Sequence, residues 1–401
     1  EKYYTRLPDS GFKLHMPSAH VLAELFGEAK NETVDIISFE KLWFKYSGDH
    51  KSNSGVTTWS DRREYSTRQR AMKIGYKIYK KLRSLQLVVL GSRRQRNKPA
   101  RCIFMDSFAN YFAEVAAFSF TEYLWKDSNC VAWRGDAYVE KYIKDFYAQF
   151  RRVVHFESDF EAMDTWVVLL HFKHFLAICH ENKYISDELY KYALWLSQEL
   201  FNVPLVTPFG VLEGEHSLLS GIYPTNPMES PLNLMINLHW IDTELSPKLE
   251  LNKDFIIIVL GDDVLILFNQ DKLEELGINY QMFPKSFSDF AWREYHINAE
   301  VSKQRVSLTS GFFCKRQFPR RGKGKDYPSL GFSTTESIRP LWLIWLSIRY
   351  PEDGMDPNKA INLIALWARL DGGHGHPLWR PFVEGVWRLV HSQYESIAIT
   401  D

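Results

Sequence analysis

The stretch IIIVLGDDVLILF, residues 256–268, sets two adjacent aspartates, Asp262 and Asp263, between two apolar runs. The runs have strand length and β-branched content, so the Gly-Asp-Asp between them reads as a hairpin turn. Neighbouring carboxylates repel each other, and charge is rarely buried without a partner. A solvated turn would account for both aspartates. A GDD tripeptide also arises by chance in a 400-residue chain on the order of one time in ten. The stretch therefore takes its meaning from what accompanies it.

A second strand supplies the company. RRVVHFES (151–158) runs into Asp159, and Asp164 follows five residues later, where the chain turns toward a helix. A strand-terminal Asp from one segment and a hairpin Asp from another can converge on one sheet edge. Three carboxylates gathered there need cations to neutralise them. Oxygen ligands without a nearby His or Cys fit Mg²⁺ or Mn²⁺ better than zinc. Two such ions can clamp the attacking and leaving oxygens of a phosphoryl displacement. For Asp164, a helix N-cap is the competing reading.

The 401 residues carry 49 basic and 49 acidic side chains, so a nucleic-acid partner has to be argued from local clusters and not from net charge. A hydrophobic content of 45% and an aromatic content of 15% support packed interiors in two or three lobes. The four cysteines are far apart and form no CxxC pair, which argues against a zinc ribbon or disulfide framework and suits a reducing compartment. LWLIWLSI (341–348), the longest apolar stretch, is too short to span a bilayer.

Periodicity predicts helices over 68–85, 107–125, 164–182 and 185–201, the last with Ser186 as N-cap. Further helices are expected from Asn226 and over 270–277 and 286–296, and three more in the last 65 or so residues. Short strands are expected at 305–309 and 311–316. A basic loop at 91–101, a Pro- and Gly-rich loop at 204–216 and a basic linker at 315–325 complete the reading. Helices interspersed with few strands, without βαβ alternation, favour an α+β fold.

Asp-x4-Asp at 159–164, SGIYPT at 220–225 and GDD at 261–263 occur in that order, separated by about 60 and then 40 residues. The set resembles motifs A, B and C of viral RNA-dependent RNA polymerases and covers roughly residues 91–316. The resemblance implies a right-hand polymerase with an antiparallel-sheet palm, helical fingers and a small helical thumb. Fingers would occupy 1–150, with a basic motif F loop at 91–105, and an insertion at 183–219. Palm would occupy 151–182 and 220–325, and thumb 326–401.

On that resemblance Asp159 and Asp262 hold two Mg²⁺ ions, with Mn²⁺ as a substitute, and Asp263 is an auxiliary acid beside them. Asp164 helps sense the ribose 2′-hydroxyl. Ser220, Gly221 and Thr225 form the motif B loop, where Gly221 gives the backbone freedom to move. Picorna-type enzymes carry Asn eight residues after this Gly, where this chain has Glu229. Asn233, four residues later, matches a pattern found in partitivirus- and picobirnavirus-like enzymes, and either residue is a candidate for the sugar contact. Arg96, Lys98 and Arg101, with Arg93 and Arg94 nearby, would neutralise the triphosphate. Lys303 matches the motif D lysine that protonates departing pyrophosphate. GFFCKRQF (311–318) resembles the primer-gripping motif E, with Lys315 and Arg316, and beyond them Arg320 and Arg321, as RNA-phosphate contacts.

The implied activity is template-directed synthesis of RNA from NTPs for viral genome replication and transcription. RNA template, nascent RNA and NTPs would be the partners, together with a capsid protein, in the host cytoplasm or the virion interior. Two rival readings are a reverse transcriptase-like palm polymerase and a non-catalytic RNA-binding protein on a polymerase-like fold. Reverse transcriptases usually place an aromatic residue or Ala two positions before their paired aspartates and lack the Ser-Gly-x3-Thr element.

Overall fold

The computed structural model describes residues 2–6, 8, 11–26, 33–46, 60, 64–95, 98–122, 131–319, 338, 341, 344, 376 and 378–393. Helices α1 (Lys2–Thr5), α2 (Ala19–Phe26), α3 (Phe39–Tyr46) and α4 (Tyr65–Tyr79) precede strands β1 (Val88–Gln95) and β2 (Lys98–Met105). Helices α5 (Phe108–Phe118) and α6 (Asp136–Gln149) lead to β3 (Val153–Ser158) and then to α7 (Leu169–Glu181) and α8 (Asp187–Leu200). Strands β4 (Leu205–Thr207) and β5 (Gly210–Leu212) come before α9 (Thr225–Trp240), β6 (Phe255–Leu260), β7 (Asp263–Asn269) and α10 (Gln270–Glu275). Helix α11 (Phe283–Tyr295), strands β8 (Arg305–Ser307), β9 (Ser310–Phe313) and β10 (Arg316–Pro319), and helix α12 (Trp379–Gln393) follow.

The central sheet has the order β6-β7-β3-β8, and every neighbouring pair is antiparallel. Side chains alternate between its faces. Phe255, Ile257, Val259, Ile266, Phe268, Val154 and Phe156 enter the large core beneath α9 and α11. Ile256, Ile258, Leu265, Leu267 and Val153 enter a second core closed by Val139, Ile143 and Phe146 of α6 and by Phe313 and Phe318 of the β9–β10 hairpin. Cover on both faces explains the unbroken apolar runs around Gly261, which one-sided burial would have broken into alternation. Each fully buried Ile, Leu or Phe there contributes about 1.5–3 kcal/mol of transfer free energy. Trp240 at the end of α9 anchors the larger core, its ring 5.2 Å from that of Phe156.

A second sheet runs β2-β1-β4-β5, with β1 parallel to β4 and the other pairs antiparallel. It corrects the expectation of loops at 91–101 and 204–216. Residues on both sides of the basic run, Val89 to Gly91 and Ile103 to Met105, pair across the hairpin and carry the ladder through the charged positions. In the same way LVT and GVL pair around Pro208 and Phe209. The expected 311–316 strand is two strands, because Cys314 and Lys315 both take positive φ (48° and 64°), the geometry of a type I′ hairpin turn. The expected basic linker is therefore partly β10.

Helix boundaries follow local chemistry. Ser186 caps α8 as expected, its Oγ accepting from the Leu189 N–H at 3.1 Å. Helix α4 stops at Tyr79, six residues short of its expected end, where Lys81 adopts φ 56°. Mixed helix and antiparallel sheet make the fold α+β. Arg96, Arg320, Arg321 and most of 326–401, including two of the three expected C-terminal helices, lie outside the described residues. Among the described residues no helix is long and apolar enough to cross a membrane.

Candidate active site

The β6–β7 hairpin closes with Leu260 paired to Asp263, leaving Gly261 and Asp262 as its two central residues. Gly261 has φ 62°, as the first position of a type II′ turn requires. Strand β3 runs antiparallel beside β7, and its last pair is Ser158 with Val264. One residue beyond that pair, from opposite strands, stand Asp159 and Asp263. The hairpin and β3 thus bring Asp159, Asp262 and Asp263 to one sheet edge, as the sequence led us to expect.

A ladder of buried polar side chains on α9 holds this edge together. The Ser230 Oγ accepts from the Gly261 N–H at 2.8 Å, and the Asn233 Nδ2 donates to the Gly261 carbonyl at 2.9 Å. Asn237 donates to the Asn233 Oδ1 at 2.8 Å and to its carbonyl at 2.9 Å, and accepts from the Ser158 Oγ at 3.2 Å. Ser230 turns its own proton toward Asn226. Ser230, Asn233 and Asn237 are fully buried, and Ser158 nearly so. Both backbone polar groups of the turn glycine are therefore satisfied by one helix, which also reaches the end of β3. Unmet, such groups would each cost about 1–3 kcal/mol.

On the other side of Asp159, the Gln304 side chain clamps its backbone. The Asp159 N–H donates to the Gln304 Oε1 at 3.2 Å, and Nε2 donates back to the Asp159 carbonyl at 2.6 Å. The clamp puts Lys303, in the helical turn Val301–Lys303, beside the acidic edge. Its ammonium is 3.8 Å from Glu300 and 40% exposed.

The electrostatics of the edge are those of crowded anions. Lost hydration in the cleft, followed by the charge of Asp262, pushes the Asp159 carboxyl up to about 6, against the opposing pull of Lys303. Desolvation and Asp262 also raise Asp263, while a hydrogen bond from the Cys314 thiol and the charge of Lys315 act the other way. Asp159, Asp262 and Asp263 all keep contact with water. Among the described residues, no three acidic, His or Cys side chains converge closely enough to ligate one ion as they stand. Glu157, two residues before Asp159, is pushed up to about 7 by burial despite the nearby Arg305 and the Phe312 N–H, which donates to its Oε1 at 2.8 Å. Through that bond β9 is fastened to the central sheet.

The Ser220–Thr225 segment lies between β2 and α9. Gly221 has φ 111°, and a Cβ there would lie 2.8 Å from the Phe104 carbonyl, so only glycine fits without backbone movement. The Phe104 N–H donates to the Ser220 carbonyl at 3.1 Å, which ties this loop to β2. Thr225 closes the loop through its Oγ1 on the Leu219 carbonyl at 2.9 Å. Glu229 is buried on α9 next to Ser230.

Asp164 is not the N-cap of α7. It sits in the turn Met163–Thr165, ahead of Val168, which holds the cap position. Its Oδ2 accepts from the Tyr3 hydroxyl at 2.9 Å. Lys98 and Arg101 lie on β2, with Arg93 and Arg101 at paired register positions across the hairpin. Lys315 is exposed at the β9–β10 turn. Arg316 is drawn to α6, 2.9 Å from Asp136 and 3.5 Å from Glu140.

Sequence reasoning missed Ser230, Asn237, Gln304 and Ser158, none of which carries a charge. A signal for the first two was present: Asn226, Ser230, Asn233 and Asn237 recur at helical spacing on a largely apolar helix. Gln304 and Ser158 left no comparable trace.

No family model matches the sequence, and no curated protein does. Solved structures do match. The insertion-loop deletion mutant of the RNA-dependent RNA polymerase of a human picobirnavirus superposes with a TM-score of 0.68 at 14% identity, over 96% of this chain and 73% of that one. The RNA-dependent RNA polymerase of a human picobirnavirus gives 0.67 at 15% identity, over 96% of this chain and 71% of that one. A likeness at that identity is one of fold, and the chain has the fold of a viral RNA-dependent RNA polymerase.

Proposed function

We propose that this protein is an RNA-directed RNA polymerase, which joins NTPs to an RNA 3′-hydroxyl under the direction of an RNA template. The observation that carries the reading is the convergence of Asp159 with Asp262 and Asp263 on one sheet edge, where lost hydration, reinforced by the charge of Asp262, pushes Asp159 up to about 6. The charged donors of that edge are carboxylate oxygens, and the Cys314 thiol beside Asp263 is kept protonated by burial and the nearby anions, so the set fits two Mg²⁺ ions, or Mn²⁺, held by Asp159 and Asp262 with Asp263 beside them. When bound, such ions supply the positive charge that the attacking and leaving oxygens of phosphoryl transfer require.

The chain's own groups have definite tasks in this reading. The Ser230–Asn233–Asn237 ladder fixes the Gly261 turn relative to β3, so the acidic groups are set before substrate arrives. Lys303 stands beside Asp159, where its Nζ proton is placed for the leaving pyrophosphate. Asp164, with Glu229 or Asn233, reads the ribose. Asn233 already spends its amide on Gly261, which favours Glu229 for the direct sugar contact. Arg96, Lys98 and Arg101 meet the triphosphate. Lys315 is the better placed of the two hairpin cations for RNA phosphates, because Arg316 is committed to α6.

In the right-hand arrangement the central sheet with α9 and α11 is the palm, and the β1–β2 sheet with its helices belongs to the fingers. The Ser220-Gly221 and Thr225 loop favours an RNA polymerase over a reverse transcriptase, and the intact acidic set favours an enzyme over a binding-only protein. The deciding experiment offers homopolymeric RNA templates with each NTP and dNTP in Mg²⁺ or Mn²⁺. Incorporation of only the complementary NTP supports the proposal. Preferential dNTP use would overturn it toward reverse transcription, and RNA binding without synthesis would overturn it toward a non-catalytic role.

A further inference from the structure

Residues 3–6 of the chain touch three segments to which the proposed function gives a part in substrate binding: the Asp164 turn, β2 and the loop that leads to Ser220. The Tyr3 hydroxyl donates to the Asp164 Oδ2 at 2.9 Å. Its ring stands edge-on to Phe104 of β2, with centroids 4.9 Å apart. Its carbonyl accepts from the Ser217 N–H at 2.8 Å, at the start of the loop that carries Ser220 and Gly221. Three residues on, the Arg6 guanidinium lies 4.3 Å over the Trp166 ring, donates to the Thr165 Oγ1 at 2.5 Å and reaches Glu161 at 3.9 Å. One short segment thus straps the Asp164 turn, the β1–β2 hairpin and the Ser220 loop together.

We infer that Tyr3 is a positioning residue for sugar selection, orienting the Asp164 carboxylate so that one of its oxygens is presented to a ribose 2′-hydroxyl. The inference rests on the proposed role of Asp164. Three features of the contact support it. Asp164 is 7% exposed, so its orientation is set by protein partners and not by bulk water. Its Oδ1 accepts from the Thr165 N–H at 3.0 Å, which leaves Oδ2 as the oxygen that Tyr3 steers. Arg6 holds Thr165 and Trp166, the two residues that follow Asp164, so the turn is fixed from both its acidic and its aromatic side. A carboxylate pinned in this way selects by geometry. A ligand hydroxyl gains a charge-assisted hydrogen bond at no reorganisation cost, and a substrate without that hydroxyl gains nothing.

The test measures single-nucleotide incorporation of ATP and 2′-dATP opposite a template uridine, with the full chain in three forms: Tyr3→Phe, Asp164→Asn and the double variant. Tyr3→Phe keeps the ring on Phe104 and removes one hydroxyl. A single hydrogen bond's net worth corresponds to a roughly 2- to 10-fold change, so ATP efficiency should fall by that factor while dATP efficiency holds. Because Tyr3 acts through Asp164, the double variant should discriminate no worse than Asp164→Asn alone. Equal loss with both nucleotides, or additive losses in the double variant, would mark Tyr3 as merely structural and overturn the inference. If Asp164→Asn lowers the ATP/dATP ratio and Tyr3→Phe does not, the strap's role alone is overturned. If Asp164→Asn leaves the ratio unchanged, the inference falls together with the assignment of Asp164.

Discussion

Asn233 offers the sharpest test of how the acidic edge is held. Its side-chain amide donates to the Gly261 carbonyl at 2.9 Å and accepts from Asn237 at 2.8 Å, in a fully buried setting. Asn233→Ala removes both bonds. Asn237 keeps the Asn233 carbonyl as an acceptor, so the main cost is the stranded Gly261 oxygen, about 1–3 kcal/mol. The larger effect falls on activity, since the turn carrying Asp262 loses one of its two ties to α9. Misplacement by about 1 Å costs on the order of 10²-fold in rate, and that is the loss expected in template-directed NTP incorporation. Asn233→Asp separates the hydrogen bond from the volume. A carboxylate keeps the acceptor for Asn237 but faces the Gly261 carbonyl with no proton to give. Burial beside that oxygen raises the new group's folded pKa above its unfolded value. The variant's stability is therefore retained below the unfolded pKa and lost as pH rises through the folded one. Chemical denaturation and incorporation assays at pH 5.5 and 8 read both effects, and Asn233→Asp should suffer more at pH 8. Wild-type rates and stability in Asn233→Ala would refute the claim that this ladder sets the turn.

Two further substitutions probe the surroundings. Gly221→Ala forces a side chain into positive φ and against the Phe104 carbonyl, so a loss of about 1–3 kcal/mol and a raised KM for NTP are expected from thermal denaturation and steady-state kinetics. Unchanged values would mean that the loop yields more easily than its contact with β2 implies. Glu157 is pushed up to about 7 in the folded chain, so its ionisation opposes folding, and stability is lost as pH rises through that value. Glu157→Gln keeps an oxygen for the Phe312 N–H and removes the charge. It should unfold later than wild type at pH 8, by a smaller margin at pH 5.5 and by little near pH 4, and the opposite pattern would refute the assignment.

The acidic edge was legible in the sequence because carboxylates in a turn between apolar runs are conspicuous and because a second strand ended on an Asp. Register then did the rest, setting Asp159 across from Asp263. The β1–β2 hairpin was not legible. Its basic residues matched a solvated loop, and the sheet they belong to is completed by β4, whose two-residue contact with β1 comes from more than a hundred residues further along the chain. The α9 ladder lay between these cases. Its spacing was visible, but uncharged Ser and Asn on a helix do not announce which turn they will hold. Tyr3 was illegible for the same reason as Gln304: one polar side chain, distant in sequence, acquires its role only when the fold brings it to a backbone or carboxylate that needs a partner.

The central claim is that Asp262 holds a divalent ion for RNA synthesis. The most direct measurement titrates Mg²⁺ and Mn²⁺ in RNA-templated NTP incorporation by wild type and Asp262→Ala at equal protein concentration. The account predicts saturable, cation-dependent synthesis by wild type, and at least a 10³-fold loss in the variant at every cation concentration, on the order of the 4 kcal/mol that such a factor represents. Robust synthesis by Asp262→Ala, or synthesis by wild type that persists after both cations are chelated, would contradict it.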